Sequence, residues 1–327
     1  MNKPFVSVII PVYNAAQWLP RCFESALNQS LRNIELICID DASTDDSRQM
    51  LEQMAKRDPR IRPVYFEEHQ GVSKARNVAL DMSEGEYVFF LDADDWIDSN
   101  HLEVMFDQAG KNNLDVLINT SYDLVYEDGR VESGSFFRYD GDGIKSYPSS
   151  FVQSHVLCAL CFRMYRLSYL NRNQVRFPLI AGGGEDIYFT GLAEALQDQV
   201  YVLNGPCYHY FQHDGSVVHM RDKAFPYIQN YNALYDELCA RGIPYEDLKM
   251  LYCGVIELDS REKFDFIKQY ITKVERVIRK HPEYYTGHDI MLTDIVLSSP
   301  DYDYFRQHHH PNIAIEFVRS KMKKNHE

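Results

Sequence analysis

Tyr87-Val-Phe-Phe-Leu-Asp-Ala-Asp-Asp95 runs from an apolar stretch straight into a cluster of acids. A short apolar run of this kind is typical of a strand buried on both faces of a parallel sheet. Ligands of open α/β sheets bind beyond the carboxyl ends of the strands, which is where Asp92, Asp94 and Asp95 fall. Four acids lie among residues 92–98, more than the cap of a following helix requires. We therefore expect a functional carboxylate cluster at this strand end.

Upstream of this cluster, strand-like and helix-like patterns alternate along the chain. The predicted strands are 6–10, 34–39, 64–66 and 87–91, and the predicted helices are 15–28, 47–56 and 72–82. This alternation is typical of right-handed βαβ crossovers. It predicts an α/β, Rossmann-like domain with a mainly parallel central sheet and helices on both faces.

The loop after the first strand argues against two common uses of such a sheet. A dinucleotide fold requires G-x-G-x-x-G there and a P-loop requires G-x-x-x-x-G-K-[ST], whereas this turn reads Pro11-Val-Tyr-Asn-Ala15. An aspartyl phosphotransferase also carries D-x-D at a strand end, usually on the first strand, and stays a weak alternative. Two aspartates one residue apart suit a hard divalent cation, Mg²⁺ or Mn²⁺, shared with substrate phosphates.

The charge is negative and unevenly distributed. The chain has 327 residues, with 34 Lys and Arg against 48 Asp and Glu, so its formal charge is −14. This acidity argues against a nucleic-acid partner, because phosphate backbones are bound by clustered basic side chains. Residues 1–220 hold 18 basic and 31 acidic side chains, a net charge of −13, and residues 221–327 hold 16 and 17. We expect a catalytic domain at 1–220 and a helical C-terminal region at 221–327.

The expected location is cytoplasmic. No run of about 18 apolar residues predicts a transmembrane helix, and the first residues lack the long apolar stretch of a signal peptide. Seven scattered cysteines favour reduced thiols over a disulfide framework. The short basic segment Arg319-Ser-Lys-Met-Lys-Lys324 allows at most peripheral contact with an anionic inner-membrane face, although a solvated terminal helix is the simpler interpretation. The sequence does not predict the oligomeric state.

Four segments together resemble the ordered signature of family 2 glycosyltransferases, which have the GT-A fold. They are Val6-Ser-Val-Ile-Ile-Pro-Val-Tyr-Asn14, Ile39-Asp-Asp-Ala-Ser-Thr-Asp45, Gly71-Val-Ser-Lys-Ala-Arg-Asn77 and Phe90-Leu-Asp-Ala-Asp-Asp95. The resemblance covers roughly residues 5–218. It implies a UDP-sugar donor, Mn²⁺ or Mg²⁺ as cofactor, and inversion at the anomeric carbon.

The resemblance also implies a set of donor-binding residues. They are Pro11, Val12, Tyr13, Asn14, Asp41, Lys74, Arg76, Asp92 and Ala93. Asp41 corresponds to the carboxylate that contacts uracil in the family, and Asp40 is its neighbour, with a turn cap as the alternative role. Lys74 and Arg76 match a basic stretch that faces the donor; for Lys74 a solvated helix face is an equal alternative.

The metal ligands implied by the resemblance are Asp94, Asp92 and His213. Asp94 corresponds to the direct metal contact, and Asp92 lies nearer the ribose or a metal-bound water. His213 would complete the metal shell or meet the pyrophosphate, although a lone histidine is as often only packed. Phe211 stands where many relatives carry Arg, which leaves the contacts to the leaving group less defined.

An acidic pair in the second half supplies the expected base. Glu185 and Asp186 follow three glycines and precede an apolar helix. The pair resembles the family's E-D motif, so Asp186 is the implied catalytic base and Glu185 lies on the acceptor side. The alternative is that both are helix-start acids, favoured there by the helix dipole.

The predicted reaction transfers a hexose (glucose, galactose or N-acetylhexosamine) from a UDP-sugar to a saccharide or lipid-linked saccharide. The product is a β-linked extension of bacterial lipopolysaccharide or capsule. The alternative is a catalytically inactive GT-A protein that binds glycans or nucleotides during assembly. Helical periodicity at 227–239, 263–280 and 313–324 predicts a helical appendage without a chemical motif of its own.

Overall fold

The computed structural model describes residues 3–135, 143–149, 159–213, 224–243, 258–280 and 287–309. The chain divides into two compact units, Met1–Ala181 with Glu185–His219, and Gly182–Gly184 with Met220–Glu327. The helix predicted at 313–324 lies outside the described residues. No helix among the described residues is both long and apolar enough to cross a bilayer.

The first unit alternates strands and helices over its N-terminal half. Its strands are β1 (Val6–Val12), β2 (Ile34–Asp40), β3 (Ile61–Tyr65), β4 (Tyr87–Phe90), β5 (Trp96–Ile97), β6 (Val116–Asn119), β7 (Ser121–Tyr126), β8 (Val131–Ser135), β9 (Ile144–Pro148), β10 (Arg163–Arg166), β11 (Gln199–Leu203) and β12 (Tyr208–Gln212). Its helices are α1 (Leu19–Leu27), α2 (Ser47–Arg57), α3 (Val72–Met82), α4 (His101–Lys111), α5 (Leu167–Arg172) and α6 (Glu185–Ala195).

The main sheet has the strand order β3-β2-β1-β4-β10-β6-β11-β9. The first four of these strands are mutually parallel, with Ile9 of β1 opposite Ile37 of β2 and Phe90 of β4. β10 runs antiparallel between β4 and β6, and β9 runs antiparallel at the edge. The prediction of a mainly parallel α/β sheet is therefore confirmed.

Helices cover both faces of this sheet. On one face, the alternate β1 residues Val8 and Ile10 pack in a core with Cys22 and Phe23 of α1. Phe90 points to the other face, because the preceding Phe89 belongs to the α1 core. There the Phe90 ring packs edge-on at 5.6 Å from the ring of Phe189 in α6. Both faces are thus dry, which agrees with the uninterrupted apolar strands.

Two predicted boundaries were wrong for identifiable reasons. The helix predicted from Ala15 begins only at Leu19, because the amides of Ala15 and Ala16 donate to side chains of the next loop, Ser47 Oγ at 2.9 Å and Asp45 Oδ2 at 3.0 Å. β3 begins at Ile61, earlier than predicted, and includes a proline. A proline is tolerated there because β3 is an edge strand.

A second, smaller sheet has the order β5-β12-β7-β8. β7 and β8 form an antiparallel hairpin, while β12 pairs parallel to β7. β5 follows the acidic cluster directly and pairs with β12 through Ile97 and Tyr208. This sheet therefore connects the acidic turn at Asp92–Asp95 to β12, a strand rich in aromatic residues.

The second unit is helical in its described part. Its helices are α7 (Ala224–Ala240), α8 (Arg261–Lys280), α9 (Gly287–Ser298) and α10 (Tyr302–His308). α8 buries one apolar face that includes Phe264, Ile271 and Val274, while its charged side chains stay at the surface. The two helices predicted within residues 227–280 are confirmed, with slightly longer bounds.

Candidate active site

The loops after β1 and β2 are fastened to each other. Asn14 has φ of 50°; its amide donates to Ser43 Oγ at 3.0 Å, and its Oδ1 accepts from the Thr44 amide at 2.7 Å. The Asn14 side chain, predicted to bind the donor, therefore shapes the neighbouring loop in this structure. Pro11 and Val12 are the last two residues of β1, just before the loop that contains Asn14. Tyr13 is the exposed member of this predicted set, with 49% of its surface accessible.

Asp41 lies buried beside the loop that precedes α3. Its Oδ1 accepts from the Gln70 amide at 2.7 Å, and its Oδ2 accepts from the Gly71 amide at 2.8 Å. Gly71 has φ of +87°, a conformation that favours glycine. His69 Nδ1 lies 3.0 Å from the same Oδ2, and the His69 ring stacks at 4.4 Å against Tyr13. Asp41 thus holds together two loops at the strand ends, a role that the sequence did not indicate.

Asp40 differs from Asp41 although the two are adjacent. It is completely buried, and neither of its carboxylate oxygens has a hydrogen-bond partner among the described residues. The turn cap considered for Asp40 is therefore absent from this part of the chain.

Arg76 joins the D-x-D strand end to the start of α6. Its Nη2 donates to Asp92 Oδ1 at 2.9 Å, and its Nη1 donates to Glu185 Oε1 at 2.6 Å. The guanidinium is buried, which alone would lower the pKa of Arg76, but the charges of Asp92 and Glu185 raise that pKa instead. Residues far apart in sequence thereby form one charged cluster. Arg76 was predicted to face the donor; in the structure its guanidinium is hydrogen-bonded to the Asp92 and Glu185 carboxylates.

Lys74 does not join this cluster. Residues two apart on a helix point to different sides, and α3 directs Arg76 inward. The Lys74 side chain makes no ion pair or hydrogen bond within the described residues and is partly exposed. Ala93, also predicted to bind the donor, is 7% exposed between the two aspartates of the turn.

Asp186 follows Glu185 in the first turn of α6. The three preceding glycines all have positive φ, between +83° and +102°, which lets the chain turn sharply into the helix. Burial and the charge of Glu185 raise the pKa of Asp186 to about 7, against the opposing effect of Arg76. A carboxyl group that titrates near neutral pH is suited to accepting a proton from a substrate.

Asp94 and His213 form the second contact of the acidic turn. His213 Nε2 lies 3.0 Å from Asp94 Oδ2, and the imidazole is buried against the ring of Trp18 at 4.2 Å. Burial and the charge of Asp92 raise the pKa of Asp94. Two of the three predicted metal ligands therefore contact each other, while the third, Asp92, is bound by Arg76.

Asp95 attaches the acidic turn to β12. It is 1% exposed; its Oδ2 accepts from the Tyr208 hydroxyl at 2.6 Å, and its Oδ1 accepts from the Phe211 amide at 2.8 Å. Burial and the charges of Asp94 and Asp92 raise the pKa of Asp95 well above its usual range. Asp95 therefore fixes the turn to β12.

The possible metal ligands of the site fit a cation that binds together with a diphosphate. No group of three or more His, Cys, Asp and Glu side chains in the described residues is placed to hold a metal ion by itself. Asp94 and His213 supply one carboxylate and one imidazole at one point. Mg²⁺ is commonly bound through one or two protein carboxylates with phosphate and water oxygens completing the shell. The site thus fits a shared cation better than an all-protein cage.

Comparison with known proteins decides the family. Residues 7–173, just over half of the chain, match the model of glycosyl transferase family 2. The chain belongs to glycosyltransferase family 2. The matched region includes the acidic turn and Arg76, while Asp186 and His213 lie beyond it.

Family relatives resemble the chain over much of its length. EpsH of Bacillus subtilis (strain 168) is 30% identical over 225 residues, covering 68% of this chain and 65% of EpsH. The poly(ribitol-phosphate) beta-glucosyltransferase of Bacillus spizizenii (strain W23) is 28% identical, covering 83% of this chain and 42% of the relative. The chain therefore spans less than two thirds of the length of either relative.

A solved structure has a similar fold. S. aureus TarS, residues 1–349 in complex with UDP-GlcNAc, superposes with a TM-score of 0.70 and 21% identity, covering 93% of this chain and 92% of that one. This likeness establishes the GT-A fold for the chain.

Sequence reasoning about this family 2 site missed two contributors. Arg21 of α1 donates from Nη2 to the Asp94 carbonyl oxygen at 3.2 Å, and Tyr208 holds Asp95. Arg21 belongs to no motif. The available signal for it was helical spacing, because Arg21 lies three residues after Trp18, the N-cap residue of α1.

Proposed function

We propose that this protein transfers a hexose from a UDP-sugar to a hydroxyl group of a saccharide or lipid-linked saccharide, with inversion and formation of a β-linkage. One observation carries the proposal. Arg76 is hydrogen-bonded to both Asp92 and Glu185, so the D-x-D turn and the E-D helix start belong to one buried cluster. A donor site and a base are thereby adjacent, as a direct displacement requires.

Asp186 is the base of the proposed reaction. As the acceptor oxygen bonds to the anomeric carbon, its proton passes to the Asp186 carboxylate, while the bond from that carbon to UDP breaks and UDP retains the electron pair. The raised pKa of Asp186 supports this role, because a base that titrates near the working pH both exists in its charged form and holds the proton well.

In the proposed reaction, the diphosphate of the leaving UDP binds next to Asp94 and His213. These two residues would hold Mn²⁺ or Mg²⁺, which supplies positive charge to the diphosphate as it departs. Asp92, fixed by Arg76, is placed to orient the ribose or a metal-bound water. Tyr13, exposed just after β1, is available to the nucleobase, and His69 links it to Asp41.

The acceptor is proposed from the relatives' names. These include a poly(ribitol-phosphate) beta-glucosyltransferase and a teichuronic acid biosynthesis glycosyltransferase. They support a bacterial surface polymer as acceptor and leave lipopolysaccharide and capsule as further candidates. The proposed place of action is the cytoplasm, with at most peripheral contact with the inner membrane. The intact acidic cluster disfavours an inactive assembly protein.

The test measures UDP release from a panel of UDP-sugars with saturating Mn²⁺, with and without saccharide acceptors. We expect release from one or a few donors, loss of activity in EDTA, and recovery when Mn²⁺ or Mg²⁺ is added back. Full activity in chelator would contradict the proposed cation. Binding of UDP without turnover of any donor would favour the inactive assembly protein.

A further inference from the structure

One face of β12 carries a continuous series of stacked side chains that ends at the acidic turn. Alternate residues of a strand share a face, and here their rings interleave with side chains from α1 and β5. In order, the members of this aromatic stack are His209, Trp96, Arg21, Phe211, His213 and Trp18. The last ring pair, Trp18 and His213, abuts Asp94 through His213 Nε2.

Arg21 is the cation within the aromatic stack. Its guanidinium carbon lies 3.6 Å from the centre of the Trp96 ring and 4.4 Å from that of Phe211. From this position its Nη2 donates to the Asp94 carbonyl oxygen at 3.2 Å. The two rings are 6.2 Å apart and tilted by 52°. A planar guanidinium can lie against both rings and still donate in its own plane, whereas a lysine ammonium cannot do both.

The acidic turn is consequently held at two successive residues by two different elements. β12 holds the Asp95 carboxylate through the Phe211 amide and the Tyr208 hydroxyl. α1 holds the Asp94 backbone through Arg21. From this fixed backbone, the Asp94 carboxylate contacts His213 Nε2 at 3.0 Å.

We propose that Arg21 is a positioning residue for donor binding: held against the rings of Trp96 and Phe211, it fixes the Asp94 carbonyl and thereby aims the Asp94 carboxylate at the diphosphate of the UDP-sugar. This role rests on the proposed function, since it assumes that Asp94 serves the donor. Arg21 acts through Asp94 and does not itself touch the ligand.

The test uses the protein's own tryptophans. The chain has two, and both belong to the aromatic stack, so tryptophan emission reports directly on this place. UDP is titrated with Mg²⁺ into wild type, Arg21→Met and Arg21→Lys, and affinity is also measured calorimetrically. We expect both variants to bind UDP roughly tenfold more weakly, the scale of one cation–π contact and one hydrogen bond, with nearly unchanged melting temperatures.

A matched control and a double-mutant cycle identify the route of the effect. Arg32 is an exposed arginine that likewise donates to one backbone carbonyl, that of Leu27, so Arg32→Met should leave UDP binding unchanged. In an Asp94→Asn background, Arg21→Met should cost little further affinity, because residues acting through one contact are not additive.

The outcomes separate this role from the proposed function. Additive losses in the cycle, or full rescue by Arg21→Lys, would overturn the role, because either would mean that the charge of residue 21 acts on UDP directly. Unchanged binding in Arg21→Met would also overturn it. A wild-type protein that does not bind UDP contradicts the proposed function itself.

Discussion

The two ends of α6 each hold a buried glutamate against a buried arginine, yet the two ends do different things. Near the C-terminal end, Arg163 Nε donates to Glu194 Oε1 at 2.6 Å, and both side chains are 1% exposed. Near the N-terminal end, Arg76 Nη1 donates to Glu185 Oε1 at the same distance. The geometry of each contact is alike.

The difference lies in how many carboxylates each guanidinium serves. Arg76 is bonded to Asp92 as well as Glu185, and it also acts electrostatically on Asp186. A single positive charge among three carboxylates leaves negative charge in excess, so Arg76 does not offset the burial and the charge of Glu185 that raise the pKa of Asp186. Removing one member of the matched pair would leave a buried charge without its partner, whereas the unmatched cluster keeps one group ready to take a proton.

The largest expected effect is that of Asp186→Asn on turnover. We expect turnover to fall by roughly 10²–10⁴-fold, the usual contribution of a general base, while UDP affinity stays near that of wild type. Steady-state transfer assays and UDP titration measure the two quantities. The fold should survive, since the amide has the shape of the carboxylate and the substitution removes a half-buried negative charge.

Asp303→Asn is the matched control for Asp186→Asn. Asp303 is also an acid in the first turn of a helix, but its carboxylate is exposed and paired with Arg261. Its substitution should leave turnover unchanged. Normal turnover in Asp186→Asn would reduce Asp186 to the helix-start acid of the alternative interpretation.

The fold and the position of the acids could be predicted from the sequence because both depend on local patterns. Apolar runs that end in polar residues predicted the first four strands and placed the Asp92–Asp95 turn at a strand end. Glycines followed by an acidic pair predicted the start of α6. Each of these signals is contained within about ten residues.

The contacts that unite the site could not be predicted in the same way. Arg76 and Glu185 are 109 residues apart, and Tyr208 and Asp95 are 113 apart, so their pairing depends on how β4, β12 and α6 pack. The sequence analysis allowed Lys74 a solvated helix face, but it did not indicate that Arg76 has two carboxylate partners and Lys74 none in the described residues. The two side chains differ in burial, which depends on how the folded chain packs.

Arg163→Met tests the other end of α6 and should affect stability. Removing the guanidinium leaves Glu194 buried without its cation, which typically costs about 3–5 kcal/mol of unfolding free energy. Denaturant unfolding followed by tryptophan emission measures this, because both tryptophans lie in the same unit as the pair. Arg130→Met is the control: its pair with Glu132 lies in the same unit, is exposed and should contribute at most about 1 kcal/mol. Equal losses in the two variants would contradict the assigned structural role.

The smallest expected effect is a shift in the pH profile of Glu185→Gln. The active base is the deprotonated form, so wild-type turnover should fall as the pH drops through about 7. The negative charge of Glu185 raises the pKa of Asp186; neutralising it lowers that pKa and moves the acid limb to lower pH. The rate at pH 6 relative to pH 8 should therefore increase. Glu262→Gln, an exposed acid in the first turn of α8, should leave the profile unchanged. An acid limb that moves to higher pH in Glu185→Gln would mean that the negative charge of Glu185 does not raise the pKa of Asp186. The contrast between the two ends of α6 would then have another cause.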